Sequence, residues 1–216
     1  MRLAVMMYVR FPMRNVEDIL HERGINIWHE TIRYWWNRFG PMFTVEIKKK
    51  RSASMRSSPQ WKWHRNEVFI RIIGELHYLW GAVDHEGEVL EALVTKKRNR
   101  RTALKFLKKI LKQYGNTKVI VTDKLRSYKA TMKMIGNEGR QETRRWRNNR
   151  AENSHQPFRR RERAMIKFRN TKSLQKFVSI HASVHNHFNL DRHLITRQQF
   201  KIKRSTVLAE WRQLVA

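Results

Sequence analysis

No cysteine occurs in the chain, which excludes structural disulfides, thiolate zinc sites and iron–sulfur clusters. Acidic side chains are scarce: 18 Asp+Glu stand against 47 Lys+Arg, a formal net charge of +29 at pH 7. That imbalance opposes compaction unless a polyanion neutralises it, and it attracts nucleic acid from a distance. A basic membrane-surface protein is the competing reading of the charge alone. Long apolar runs are missing as well. No stretch approaches the roughly 20 residues that span a bilayer, and the start MRLAVMMYVRFP is too short and too basic for a signal peptide. The expected setting is cytoplasmic and nucleoid-associated, with DNA as partner and no membrane.

Enough apolar material is present for a core: 40% of residues are hydrophobic, with eight Trp and ten Phe. No internal repeat is visible. Residues 1–45 read as a helix-turn-helix unit. NVEDILHERG carries Val16, Ile19 and Leu20 at helical spacing and stops at Gly24. HETIRYWWNRF then sets Ile32, Trp35, Trp36 and Phe39 on one face and leaves Arg33, Tyr34, Asn37 and Arg38 outside. In a helix-turn-helix those four would face the major groove. An ordinary helical hairpin fits the same pattern, and only the charge favours DNA. Residues 46–60, EIKKKRSASMRSSPQ, lack periodicity and read as a basic linker, with Lys48, Lys49 and Lys50 along a phosphate backbone.

Residues 61–190 alternate strands and helices. Three strands fall between about 65 and 95, with Gly74-Glu75 as a tight turn; an amphipathic helix from 101 closes at Gly115. KVIVTD is a short buried strand, and SYKATMKMIG a helix ending at Gly136. A long helix starts near Arg150 and continues past Phe168; another runs from Leu174 to about Phe188. Residues 191–216 form a basic tail with a short helix at about 205–214. The predicted class is α/β: an RNase H-like mixed sheet flanked by helices, preceded by the small helix-turn-helix unit.

Two segments carry chemistry. KVIVTDKLRSY ends a hydrophobic strand on Asp123, where open α/β sheets collect functional groups. A plain strand-end cap explains a lone Asp more simply. RWRNNRAENSHQPFRRRER is more specific: Glu152 opens a helix, His155 follows one turn later, then Arg159, Arg160, Arg161 and Arg163. A solvated charged helix would account for the arginines but not for the Asn148-Asn149 pair just ahead of the acid. Trp146 is the tryptophan best placed to stack on a base. SIHASVHNHF holds His181, His185 and His187. Its i, i+4 pair has metal spacing but no third ligand, so a packing role is expected.

These motifs, with "ERGINIWHETIRYWWNRFGP" and "NEVFIRIIGELHYLWGAVDHEG", resemble bacterial insertion-sequence transposases of the DDE class, in the compact, replicative, cointegrate-forming group. The resemblance implies three carboxylates holding two Mg²⁺ ions, with Mn²⁺ as a substitute. It implies action on terminal inverted repeats and target DNA by a homodimer or larger homo-oligomer. Carried over by motif, Asp123 is the second acid and Glu152 the third, with His155 and Arg159 at the scissile phosphate or positioning Glu152. The first acid falls at Asn66, an amide.

Asn66 makes this an enzyme by family whose chemistry is expected to be impaired, and a non-enzymatic DNA-binding remnant is the alternative. The 28 residues between Asp123 and Glu152 are fewer than the thirty-odd of the class, and the amino terminus reads as clipped. Neighbouring acids offer no rescue by pattern. Glu67 points to the opposite face of its strand. With a Gly74-Glu75 turn, Asn66 opposes Val83 and Asp84 shares the face of Glu67.

Overall fold

The computed structural model describes residues 1–57, 62–122, 131–134, 136, 138–142, 154–165, 168–190 and 195–214. They fall into two compact units: residues 50–178, and residues 1–49 with 179–216.

The unit of residues 50–178 is built on β1 (Lys62–Ile72), β2 (Glu75–Val83), β3 (Val89–Thr95), β4 (Val119–Val121) and β5 (Gln141–Glu142). The described strands form one sheet in the order β3-β2-β1-β4-β5. The first three are antiparallel, and β4 and β5 then run parallel to β1. This is the expected RNase H-like mixed sheet. The switch to parallel pairing needs a crossover, which α4 (Arg100–Tyr114) supplies. Asn99 caps its start by accepting from Thr102 N, and Gly115, at φ 81°, closes it. Its apolar face, Phe106, Leu107 and Ile110, packs with Trp63 and Trp80 in a fully buried cluster. Two helices follow, α5 (Gln156–Ala164) and α6 (Thr171–Phe188). From α6, Gln175 accepts from Val94 N at 2.7 Å and donates to Ala92 O at 2.9 Å. It thereby occupies backbone groups that β3 would otherwise leave open as an edge strand.

Several sequence expectations shift. The β1–β2 turn is Ile73-Gly74, not Gly74-Glu75, with φ of 49° and 80°. A two-residue turn with both φ positive matches strand twist. Asn66 therefore opposes Gly81, and His64 opposes Val83. The displacement is an even number of residues, so each side chain keeps its face. The helix expected from Arg150 past Phe168 is, in its described part, α5, which ends where Met165 leaves helical geometry at ψ 54°.

The other unit holds α1 (Arg2–Tyr8), α2 (Met13–His21), most of α3 (His29–Ser57), the end of α6, and α7 (Arg197–Gln213). Glu17 joins α2 to the start of α3, accepting from His29 N at 3.0 Å and lying 2.8 Å from its Nδ1. Residues 46–57, expected to be an aperiodic linker, continue α3: Phe43, Ile47 and Met55 recur at helical spacing and are buried. The tail is not separate either. In α7, Trp211 stacks on Phe43 at 4.4 Å and donates to Arg2 O, while Arg2 donates to Leu214 O. Its helix begins at a Thr196–Gln199 capping box, earlier than residue 205.

Ile73 is a β-branched residue in the left-handed region and is 75% exposed. Ile73→Asn should therefore raise stability by about 1 kcal/mol. A urea unfolding curve checks this; an unchanged or lower midpoint would show that the turn is unstrained.

Candidate active site

Strand β1 sits between β2 and β4 and is pinned on both sides. Its antiparallel ladder with β2 runs without interruption from Ile72↔Glu75 to His64↔Val83. Its parallel ladder with β4 pairs Lys62 with Val119 and His64 with Val121. Asn66 stands two residues beyond His64, and in sequence Asp123 stands two beyond Val121. Asp123, Trp146, Asn148, Asn149 and Glu152 lie outside the described residues. Opposite Asn66, Gly81 has no side chain to cover the sheet at that point. That glycine was a legible signal that the sequence reading passed over.

From α5, the sequence motif supplies one wall of a cleft of about 530 Å³, lined by Glu67, Val68, Phe69, His155, Gln156, Arg159, Arg160 and Arg163. His155 is the residue before the helix, not one turn inside it, and Arg159 N donates to its carbonyl at 2.8 Å. Its Nε2 is buried and has no partner among the described residues. Burial, helped by the Arg159 charge, pushes its pKa down to about 4. At neutral pH it is a neutral imidazole, able to donate or accept one hydrogen bond but adding no positive charge.

Arg159 donates through Nη2 to Phe69 O at 2.6 Å and pairs with Glu162 on its own helix. It ties α5 to β1. Arg160 and Arg163 are exposed on the cleft. Arg161 departs from the expectation of DNA contact: it is 3% exposed, on the buried side of α5 with Phe158.

Glu67 and Arg98 form an ion pair that sequence reasoning missed. Arg98 Nε donates to Glu67 Oε2 at 2.5 Å, the carboxylate side chain is 3% exposed, and the Arg98 guanidinium lies over the Phe69 ring. The carboxylate beside Asn66 is thus already engaged. Asp84 is engaged too. One oxygen contacts Arg51 at 2.5 Å, and the other accepts from the backbone N–H of Glu86 and Glu88. Asp84, Glu86 and Glu88 are the one acidic group close enough for a metal among the described residues. Arg51 also pairs with Glu88 at 2.8 Å, so the cluster carries its own cation.

In the other unit, Arg33, Tyr34, Asn37 and Arg38 are exposed on α3, as are Lys49 and Lys50 near its later turns, while Lys48 is half-buried. Arg33 also pairs with Glu30. The histidines pack: His181 stacks on His185, and His187 Nε2 lies 3.2 Å from Val207 O.

Residues 60–191 match the family described as the DDE domain, of the IS240 transposase type. The transposase for insertion sequence-like element IS431mec of Staphylococcus aureus is 33% identical over 135 residues, covering 62% of this chain and 58% of that protein. The transposase for insertion sequence element IS257 in transposon Tn4003, also from Staphylococcus aureus, is 32% identical over 135 residues. The HTLV-2 integrase catalytic core domain, solved in complex with magnesium in a trimeric form, aligns at a TM-score of 0.47 and 14% identity. That alignment covers 66% of this chain and 96% of that domain. The chain belongs to the DDE domain family of insertion-sequence transposases. It aligns with 58% of the length of the curated relatives it matches.

The buried, neutral state of His155 can be tested directly. The unfolded chain takes up this proton near 6.5 and the folded chain only near 4. Its contribution to stability is therefore complete above pH 6.5 and lost as pH falls toward 4. An NMR titration of the ring should show a midpoint near 4; a midpoint near 6.5 would mean that water reaches the imidazole.

Proposed function

We propose that this chain is a DNA transposase of an insertion sequence, built to nick and join DNA strands at terminal inverted repeats, and that Asn66 silences it. The register around β1 carries the reading. The strand bearing Asn66 is paired in parallel with the strand that leads into Asp123, and the arginine-lined cleft of α5 adjoins the same stretch of β1. A phosphodiester entering that cleft would meet Arg160 and Arg163 as exposed cations and His155 as a neutral hydrogen-bonding group. Arg159 would act chiefly by holding α5 on the Phe69 carbonyl. The cationic face of α3, Arg33 to Arg38, supplies duplex contacts in this reading. The protein would work as a homodimer or larger assembly among the cell's DNA.

The donor set departs from what two Mg²⁺ ions require. Asp123 and Glu152 offer hard anionic oxygens, whereas Asn66 offers one neutral carbonyl oxygen and an NH₂ that repels cations. Such a set suits one divalent ion better than a close pair, with Mn²⁺ as the alternative metal. When bound, the metal would polarise the scissile phosphate and activate the attacking oxygen. The observation favouring the second reading, a DNA-binding remnant without chemistry, is the same amide. Neither Glu67 nor Asp84 is available to replace it.

The protein as written should therefore show almost no Mg²⁺-dependent cleavage, and Asn66→Asp should raise the rate about a thousandfold or more. The assay is 3′-end nicking and strand transfer on a duplex carrying the element's terminal repeat. Robust cleavage by the Asn66 protein would remove this position from the metal site. A silent Asn66→Asp variant would favour the remnant.

A further inference from the structure

The carboxyl-terminal helix α7 has no role in the site or in the helix-turn-helix reading, yet its charges are arranged. Arg197, Lys201 and Arg204 recur at i, i+4 and i+7, so they share one stripe. The stripe borders the face that docks α7 in its unit, where Trp211 donates to Arg2 O and His187 reaches Val207 O. Arg204 is held at that border with its guanidinium 5.3 Å from the centroid of Phe188. Arg10, exposed just after α1, lies close enough to act electrostatically on Arg204 and on His185.

The stripe thus ends on a pair of neighbouring cations, Arg204 and Arg10, and none of Arg10, Arg197, Lys201 or Arg204 has a carboxylate partner among the described residues. His185, half-buried and pushed down to about pKa 4, is neutral and adds no further positive charge. Burial and Arg10 also lower the basicity of Arg204. Arg197 stands in the first turn of α7, where the helix dipole is already positive and no acid is present. The Arg10–Arg204 repulsion and the unopposed helix dipole at Arg197 disfavour this arrangement in the free protein, and both turn favourable once an anion bridges the cations.

We infer that the stripe of Arg197, Lys201 and Arg204 on α7, completed by Arg10 after α1, is a second binding surface for the phosphodiester backbone of duplex DNA. It rests on the reading of the chain as a DNA-binding transposase and adds an element to it: the last helix, docked in the same unit as α3, grips phosphates without reading bases. A stripe that spans i to i+7 covers about 10 Å along the helix, enough for successive phosphates of one strand.

Salt-dependent duplex binding tests it, using the full chain, Arg197→Gln/Lys201→Gln and Arg10→Gln/Arg204→Gln. The slope of log affinity against log salt should fall by about two in each double variant, equally for terminal-repeat and scrambled duplex. Melting temperatures without DNA should be unchanged for the first variant and unchanged or higher for the second, since a repulsion is removed. Slopes equal to that of the unmodified protein would overturn the proposal and leave DNA binding standing. A flat salt response of the unmodified protein would overturn both. A stabilisation by millimolar inorganic phosphate that both variants lose, without any change in slope, would reassign the cluster to free phosphate and also overturn it.

Discussion

A reactive group on a sheet is only as well placed as the register of its strand, and in this chain the register of β1 is fixed by hydrogen bonds on both sides. The ladder to β2 spans the strand from Ile72 back to His64, and the ladder to β4 grips it from Lys62 to His64. A slip of one residue would bring Trp63 and Arg65 out of the α4 core. Trp63 is fully buried and Arg65 lies over the Phe106 ring, so such a slip is strongly disfavoured. The backbone register at residue 66, the position proposed for the first acid, is therefore set by the packing of Trp63 and Arg65 on the same strand.

Charge is the second constraint, and it explains how so basic a chain folds. Several of its few carboxylates are engaged inside the unit of residues 50–178: Glu67 with Arg98, Asp84 and Glu88 with Arg51, Glu142 with Lys62, and Glu91 with Lys109. Each sits between elements that must stay together, β1 with the approach to α4, α3 with the β2–β3 turn, β1 with β5. Asp84 and Glu67 are nearly inaccessible, so removing either partner would leave a buried charge unpaired. Among the described residues, Arg38, Lys49, Lys50, Arg160 and Arg163 lie on exposed helical faces. The scarcity of Asp and Glu thus concentrates ion pairing inside this unit and leaves cations on the helices.

Much of this was legible in the sequence because it depends on local pattern. Alternation and turn residues reveal three strands, the spacing of Phe106, Leu107 and Ile110 reveals α4, and Gly115 its end. Arg33, Tyr34, Asn37 and Arg38 were assigned to the outer face of α3 from periodicity alone, and they are exposed there. What the pattern missed depends on long-range contact. Lys48 to Lys50 and the serines after them looked like a linker because Ile47 and Met55 are spaced too widely to stand out. The tail looked separate because nothing local says that Trp211 will stack on Phe43. The turn was misplaced by one residue because Ile73 is a poor choice for φ 49°, a conflict that only the surrounding ladder overrides. In the α5 motif, sequence named the arginines but could not say that Arg161 points inward and Arg159 grips a β1 carbonyl.

The separation between fold and chemistry follows from where the amide sits. Asn and Asp have nearly the same shape, and the Asn66 backbone is held by its ladder to Gly81 whichever side chain is present. Gly81 has no side chain to add a cross-strand contact at that register position. Under the proposed function, an exchange of Asp for Asn at residue 66 would leave β1, α4 and the cationic helices intact. Fold and charge would then be weak witnesses to activity, and the identity of residue 66 the strong one.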